Sequence, residues 1–287
     1  MKPPVFEYCD PTTVEEAVDC LAERGEAAKV LAGGQSLLPL LNLRLARPDC
    51  LVDINRLDEL DYLHEEAGWL RVGARVRQRR VEESEEVARR VPLLAEAVRY
   101  VGHPQIRNRG TVCGSLAHAD PAAELPGVAV ALGARLLVRS RLGTREIPAE
   151  QFFTGQLTTA LRPDELLVEA QFPVFPAGWG WAFVEVTNRH GDYALCGVAA
   201  GVYVEDRRVR DVRLAYVGAG PTPVRLREVE LAAVEDFRVA GEEARARLSP
   251  DGDLHASAEF RRHLAAVLTG RALRRAFERA TGGEPHA

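Results

Sequence analysis

Two glycines separate a strand-like segment from an apolar run in Lys29-Val-Leu-Ala-Gly-Gly-Gln-Ser-Leu-Leu-Pro-Leu-Leu41. Gly33 and Gly34 have no Cβ, so they tolerate positive φ and let backbone N–H groups approach a ligand closely. Ser36 is a candidate N-cap for a helix that begins after it. Backbone amides gathered in such a turn form a site for phosphate oxygens. Taken alone, the Gly-Gly pair fits an ordinary tight turn equally well.

A second glycine-containing loop lies further along the chain, in Asn108-Arg-Gly-Thr-Val-Cys-Gly-Ser115. Gly110 and Gly114 allow close backbone approach, and the hydroxyls of Thr111 and Ser115 are hydrogen-bond donors. Asp120 lies just beyond them and could accept hydrogen bonds from ligand hydroxyls. The region around this loop has little apolar periodicity and is too long for an ordinary connection. Two such loops favour a dinucleotide that is held in a cleft.

Neither loop matches the common nucleotide-binding motifs. The chain has no G-x-G-x-x-G that opens a helix and no Gly-Lys-Ser/Thr, so a Rossmann site and a P-loop are disfavoured. The five cysteines lie singly in the sequence, so we expect no disulfides, no structural zinc and no iron–sulfur cluster within this chain. No Ser/His/Asp or Cys/His arrangement indicates a nucleophile, and we predict neither catalytic residues nor metal ligands.

The composition is that of a soluble globular protein. The chain has 287 residues, of which 46% are hydrophobic and 28% charged, and a net charge of −5. This balance argues against nucleic acid as a partner. No apolar run reaches the roughly 18 residues that a membrane span needs. The amino-terminal residues contain no apolar signal core, so we expect a cytoplasmic protein.

Periodicity and turn signals predict an α+β protein with three units. A β-α-β lobe spans 1–56, in which Thr13 caps the helix. A second lobe, 57–175, combines strands with helices over 76–90 and 93–101. Its charge run, 77–80, is interpreted as a solvated helix face. Three successive strands and helical segments over 224–246 and 256–280 then predict a C-terminal domain, 176–287, of antiparallel sheet plus helices.

Two long motifs resemble the medium, FAD-binding subunit of the molybdenum hydroxylases, the family of aerobic carbon monoxide dehydrogenase and xanthine dehydrogenase. They are Ala32-Gly-Gly-Gln-Ser-Leu-Leu-Pro-Leu-Leu-Asn-Leu-Arg-Leu-Ala-Arg-Pro48 and Asn108-Arg-Gly-Thr-Val-Cys-Gly-Ser-Leu-Ala-His-Ala-Asp-Pro-Ala-Ala-Glu-Leu-Pro126. The similarity extends over nearly the whole chain. It implies a two-lobed FAD-binding domain of the PCMH, or vanillyl-alcohol oxidase, type, followed by a C-terminal domain of the CO dehydrogenase flavoprotein type.

The resemblance also implies where FAD would be held. The first loop and Leu37 would contact the pyrophosphate, and the second loop would line its other side. Ala117 and Asp120 would lie near the ribityl and pyrophosphate groups, the segment 164–167 towards the adenine, and Tyr193 near the isoalloxazine. The predicted cofactor-binding residues are Lys29, Ala32, Gly33, Gly34, Gln35, Ser36, Leu37, Ile106, Gly110, Thr111, Cys113, Gly114, Ser115, Ala117, Asp120, Leu167 and Tyr193.

One position departs from the family pattern. The second loop usually has Thr-Ile-Gly-Gly, and here it has Thr111-Val-Cys-Gly114. A side chain at position 113 requires negative φ or backbone strain. We interpret Cys113 as a tolerated packing residue. The alternative is that it narrows the pocket or makes FAD binding redox-sensitive, in which case Cys113→Gly would raise the affinity for FAD.

In this family, substrate is oxidised at a molybdenum–pterin centre of a large subunit. Electrons then pass through two [2Fe–2S] clusters of a small subunit to FAD and on to an external acceptor. The resemblance therefore implies an FAD-binding electron-transfer subunit, with molybdopterin and [2Fe–2S] clusters in partner subunits and a dimer of heterotrimers as the assembly. Two alternatives stay open. One is a stand-alone flavoprotein oxidoreductase of the same fold, and the other is a non-catalytic scaffold that has lost FAD. The substrate and the acceptor, whether NAD⁺, a quinone or oxygen, are not specified by these motifs.

Overall fold

The computed structural model describes residues 2–282, which form three larger β-sheets and one two-stranded sheet with helices packed around them. The strands are β1 (Glu7–Cys9), β2 (Ala28–Leu31), β3 (Cys50–Asp53), β4 (Leu63–Glu66), β5 (Trp69–Gly73), β6 (Arg135–Ser140), β7 (Gly143–Pro148), β8 (Phe153–Gly155), β9 (Thr158–Thr159), β10 (Leu166–Pro173), β11 (Trp179–Val186), β12 (Cys196–Glu205) and β13 (Arg208–Val217). The helices are α1 (Val14–Arg24), α2 (Leu37–Asn42), α3 (Gln78–Glu82), α4 (Glu85–Arg90), α5 (Pro92–Ala97), α6 (Pro104–Arg107), α7 (Val112–His118), α8 (Glu124–Leu132), α9 (Ala149–Phe152), α10 (Arg227–Glu235), α11 (Phe237–Arg247) and α12 (Ala258–Ala280).

The first sheet is parallel, with strand order β1-β3-β2. Its helix α1 begins as predicted, because the Thr13 hydroxyl accepts a hydrogen bond from the N–H of Glu16 at 3.2 Å. The carboxyl ends of parallel strands meet at one edge of a sheet. The loop after β2, which carries Gly33 and Gly34, therefore lies beside Asn55, which follows β3.

The second sheet has the order β4-β5-β10-β6-β7, and all its pairings are antiparallel. The single helix predicted over 76–90 is wrong, since two helices, α3 and α4, occupy this region. The chain breaks at Ser84, whose hydroxyl accepts from the N–H of Val87 at 3.2 Å and caps α4.

The third sheet, β11-β12-β13, is antiparallel, and the prediction of an α+β fold with this C-terminal arrangement is confirmed. Alternate residues of a strand point to opposite faces. Val198, Ala200 and Val202 therefore pack against α10–α12, while Ala199 belongs to the core shared with the rest of the chain. The predicted helix over 224–246 is interrupted at Asp236, which caps α11 by accepting from the N–H of Arg238 at 2.7 Å.

Polar and apolar contacts fix the third sheet to the preceding part of the chain. Arg279 on α12 donates to the Glu96 carboxylate at 2.7 Å and to the Trp181 carbonyl at 2.6 Å. Helix α8 packs so closely on β13 that a Cβ on Gly127 would come within 2.4 Å of Val217. The walls of the cavity described below thus come from elements that are held together by specific contacts.

The expectation that the cysteines form no disulfide is wrong for one pair. Cys9 and Cys20 are bonded to each other and link β1 to α1, 11 residues apart. The turn that reverses the chain at the start of α1 brings the two thiols together, which their scattered spacing does not reveal. Cys50, Cys113 and Cys196 are free and buried. Within residues 2–282, no helix combines the length and the apolar character that a membrane span requires.

Candidate functional site

A cavity of about 960 Å³ lies where the two glycine loops meet. This volume is near the upper end of the roughly 300–1,000 Å³ that is common for ligand sites. Further walls come from residues 157–167 and from the segment that contains Tyr193. The cavity brings together all the predicted site residues except Asp120: Lys29, Ala32, Gly33, Gly34, Gln35, Ser36, Leu37, Ile106, Gly110, Thr111, Cys113, Gly114, Ser115, Ala117, Leu167 and Tyr193.

Asp120 does not line the cavity. Its carboxylate accepts a hydrogen bond from the N–H of Ala122 at 2.9 Å and so stabilises the turn that leads into α8. An Asp side chain readily satisfies a nearby backbone N–H in this way, and the ligand-binding role of Asp120 stays a prediction.

The first loop presents backbone donors to the cavity. Among residues 2–282, no acceptor is bonded to the N–H groups of Gly33, Gly34, Gln35 and Ser36. Gly34 has φ of 74°, a conformation that L side chains rarely adopt. Ser36 does not cap α2 through its hydroxyl, as the sequence had predicted. Its backbone is helical, whereas a capping side chain needs an extended one, so the hydroxyl stays available to the cavity.

The two loops touch each other. A Cβ on Gly33 would lie 2.3 Å from the carbonyl oxygen of Arg109 and 2.8 Å from Cα of Gly110. Real Cβ atoms do not approach backbone atoms so closely, so a glycine is required at position 33. The close approach makes the two loops one surface.

Two residues that the sequence analysis missed connect these loops. The Asn55 amide donates to the Ala32 carbonyl at 2.9 Å, and its oxygen accepts from the Arg77 guanidinium. Arg77 also donates to the Arg109 carbonyl. Burial and the nearby Arg109 lower the pKa of Arg77. The solvated-face interpretation of the charge run is therefore wrong for Arg77, and no local sequence signal distinguishes it from its exposed neighbours.

The second loop begins α7 and is fixed by its own side chain. The Thr111 hydroxyl accepts from the N–H of Gly114 at 3.0 Å. A Cβ on Gly114 would come within 2.5 Å of that hydroxyl oxygen. The second glycine of the motif is thus needed so that Thr111 can cap the helix.

Cys113 is a packing residue. It is 3% exposed, its φ is not positive, and its thiol lies 3.6 Å from the Val72 carbonyl on β5. Burial raises the pKa of this thiol well above its usual range. A buried protonated thiol is a poor nucleophile, so the geometry favours the packing interpretation over the redox-sensitive one.

The remaining walls include a buried ion pair and a tyrosine. Arg145 holds the Glu165 carboxylate at 2.6 and 2.7 Å, which keeps this acidic wall residue neutralised. Tyr193 is 52% exposed as a residue. Burial and the nearby Asp120 raise the pKa of Tyr193 to about 12. Its hydroxyl is therefore uncharged at neutral pH.

The residues present fit a ligand with a diphosphate and hydroxyl groups. The free N–H groups of the first loop suit phosphate oxygens. Gln78, also missed from the sequence, lines the cavity, and its buried Oε1 has no hydrogen-bond partner within residues 2–282. This oxygen lies against Gly110, so that Gln78 packs beneath the second loop.

Comparison with known proteins agrees with this geometry. Residues 4–175 match the family model described as the FAD binding domain in molybdopterin dehydrogenase. Residues 181–276 match the CO dehydrogenase flavoprotein C-terminal domain.

Known relatives match over nearly their whole length. The chain is 40% identical to the 6-hydroxypseudooxynicotine dehydrogenase complex subunit alpha of Paenarthrobacter nicotinovorans, covering 98% of this chain and 97% of the relative. It is 37% identical to the carbon monoxide dehydrogenase medium chain of Hydrogenophaga pseudoflava, covering 97% and 99%.

Solved structures have the same fold. A chain of carbon monoxide dehydrogenase from Hydrogenophaga pseudoflava superposes with a TM-score of 0.94 at 38% identity, over 97% of this chain and 99% of that one. A chain of quinoline 2-oxidoreductase from Pseudomonas putida 86 gives a TM-score of 0.93 at 37% identity, over 98% and 99%. Together with the cavity, these matches show that the chain belongs to the medium, FAD-binding subunits of the molybdenum hydroxylases, of the carbon monoxide dehydrogenase type.

Proposed function

We propose that this oxidoreductase subunit is an electron-transfer module. It takes electrons from [2Fe–2S] clusters of a small partner subunit and passes them to an external acceptor. A large molybdopterin-binding subunit completes a heterotrimer, and two heterotrimers form a dimer. The names of the relatives, a medium chain and a subunit of a dehydrogenase complex, support a multi-subunit assembly.

The observation that carries the proposal is the contact between the two glycine loops at Gly33 and Arg109, beside a row of unbonded N–H groups. The segments 32–36 and 111–115 would hold the diphosphate of FAD. Residues 164–167 would lie towards the adenine and Tyr193 towards the ring. When bound, FAD accepts and releases electrons, and the protein supplies binding, orientation and exclusion of water.

Purification of the chain from its native cells tests this proposal. We expect flavin absorbance in the preparation, together with molybdenum and iron from two co-purifying subunits. Recovery of the chain alone, yellow and active on a substrate without other subunits, would support a stand-alone flavoprotein instead. A colourless chain would support a scaffold. A tagged Gly33→Ala variant is the matched control, because it should keep its partners and lose flavin.

A further inference from the structure

Leu157 is an exposed apolar residue in the cavity wall that has an unfavourable backbone conformation. It lies between β8 and β9, lines the cavity and is 48% exposed. Its φ is 53°, in the left-handed region that residues with a bulky side chain seldom occupy. Strain of this kind persists only where the surrounding structure imposes it, and it is concentrated at ligand sites. A ligand-binding role would account for both the exposure of Leu157 and its conformation.

The other positions with this backbone conformation lack the same combination. Among residues 2–282, six residues other than glycine have positive φ: Arg44, Ala67, Ala119, Leu157, Asp206 and Arg207. Leu157 is the only one of these six that lines the cavity, and it has the only large apolar side chain among them. A tight turn favours glycine, asparagine or aspartate at such a position, so the turn alone does not explain the leucine.

Hydrogen bonds on both sides of Leu157 hold it in place. Its N–H donates to the carbonyl of Ala119 at 3.1 Å. Ala119 ends α7, the helix that begins at the second glycine loop. After Leu157, the hydroxyl of Thr158 donates to the Gln156 carbonyl at 3.0 Å. Leu157 is thus fixed at the cavity wall by the same helix whose first turn forms the second glycine loop.

The turn at 119–122 also holds the segment that contains Tyr193. The carbonyl of Ala122 accepts a hydrogen bond from the N–H of Ala194 at 3.4 Å. Leu157 is bonded to the first residue of this turn, and the neighbour of Tyr193 is bonded to the last. Leu157 and Tyr193 both line the cavity, and both are exposed. The four-residue turn therefore places an aliphatic and an aromatic residue at the same end of the cavity.

The flavin ring is the part of FAD that suits this end of the cavity. The diphosphate and the ribityl hydroxyls are polar, and a leucine side chain offers them no hydrogen bond. The flat face of the flavin ring is largely apolar, so contact with leucine removes apolar surface of both groups from water. Tyr193 is the residue proposed above to lie towards that ring.

We propose that Leu157 contacts the flavin ring of bound FAD and, together with Tyr193, holds the ring and excludes water from it. The inference rests on the proposed binding of FAD. Leu157 is a binding residue in this account, and its strained backbone keeps an apolar side chain at the cavity wall before the cofactor arrives. The contact should therefore strengthen FAD binding although it costs stability in the apoprotein.

Titration of the full-length apoprotein with FAD tests the contact through Leu157→Gly. Glycine adopts positive φ freely, so this variant should be at least as resistant to thermal unfolding as the wild type. Its affinity for FAD should nevertheless fall about fivefold or more, because a buried apolar contact is lost. At saturating FAD, the visible absorbance and circular dichroism, which arise from the flavin ring and not from adenine, should change. Leu157→Met keeps an apolar side chain and should retain most of the affinity and the wild-type spectrum.

Ala67→Gly is the matched control. Ala67 has φ of 51° in the turn between β4 and β5 and does not line the cavity. This variant should relieve the same strain and leave the affinity and the visible spectrum unchanged. Wild-type affinity in Leu157→Gly, or weaker binding with an unchanged visible spectrum, would overturn this inference and leave the proposed function standing. Failure of the wild-type apoprotein to bind FAD would overturn both.

Discussion

Gly33 lies directly against the carbonyl oxygen of Arg109, so that a Cβ at position 33 would come within 2.3 Å of that oxygen. The two residues are 76 positions apart and belong to different loops. Their contact makes a single surface of two motifs that are each ambiguous in the sequence. A substitution that disrupts this contact should therefore displace the backbone of both loops.

Gly33→Ala should weaken FAD binding about tenfold or more, equivalent to roughly 1.4 kcal/mol or more of binding free energy. The added methyl group must push apart two backbone segments that cannot rotate away, and overpacking of this kind also costs roughly 1–3 kcal/mol of stability. Titration of the apoprotein with FAD, followed by flavin fluorescence, measures the affinity. Gly155→Ala is the control, because its Cβ would have only an ordinary contact at 3.8 Å with Thr158. Equal affinities of both variants and the wild type would contradict the contact between the loops.

Arg77→Ala should lower the free energy of unfolding by about 1–3 kcal/mol, because it leaves the acceptors on Asn55 and Arg109 without their donor. Looser loops should also weaken FAD binding. Arg80→Ala removes a neighbouring arginine whose ion pair with Asp61 is exposed at 2.9 Å, and such pairs contribute only about 0–1 kcal/mol. Urea unfolding of both variants compares the two. If Arg80→Ala lowers the free energy of unfolding as much as Arg77→Ala does, Arg77 does not connect the two loops.

Cys113→Gly should destabilise the protein and should not raise its affinity for FAD. The change removes a buried side chain and places glycine inside α7, which alone costs roughly 0.5–1 kcal/mol relative to alanine. Thermal unfolding and FAD titration of Cys113→Gly and Cys113→Ala separate the helix effect from the packing effect. A higher affinity of Cys113→Gly for FAD would support the alternative, in which the Cys113 side chain narrows the pocket.

The apoprotein should lose stability as the pH rises from about 5 to 8, relative to Glu185→Gln. The pKa of Glu185 is raised from 4.5 to about 8 by burial, so the folded state binds more protons than the unfolded state across this interval. Its stabilising proton is fully present below the unfolded pKa and is lost as the pH passes the folded one. One pKa unit corresponds to about 1.4 kcal/mol, so we expect a difference above about 1 kcal/mol at pH 8. If the free energies of unfolding of the wild type and Glu185→Gln change in parallel with pH, Glu185 is not a buried neutral carboxyl.

Local signals in the sequence predicted much of the fold. The Thr13 cap and the alternation in the last three strands are each recognisable from a few neighbouring residues. The strand Gly143–Pro148 was missed because it is a polar edge strand whose pattern resembles a loop. The limits proposed for the three units, near 56 and 175, remain predictions.

The candidate site was predictable only in part. Glycines and hydroxyl residues in the two loops carry a recognisable pattern, and those positions line the cavity. Asn55, Arg77 and Gln78 act through contacts with residues more than 20 positions away. A single sequence contains no local sign of such contacts. The Asp120 carboxylate stabilises its own turn, and its role in ligand binding stays a prediction.

A crystal structure of the chain with FAD is the most direct test of the two-loop site. The diphosphate should accept hydrogen bonds from the N–H groups between Gly33 and Ser36, and the segment 111–115 should face it from the other side. A diphosphate that lies elsewhere in the cavity, or a cavity that takes up no FAD from a saturating solution, would contradict the assignment.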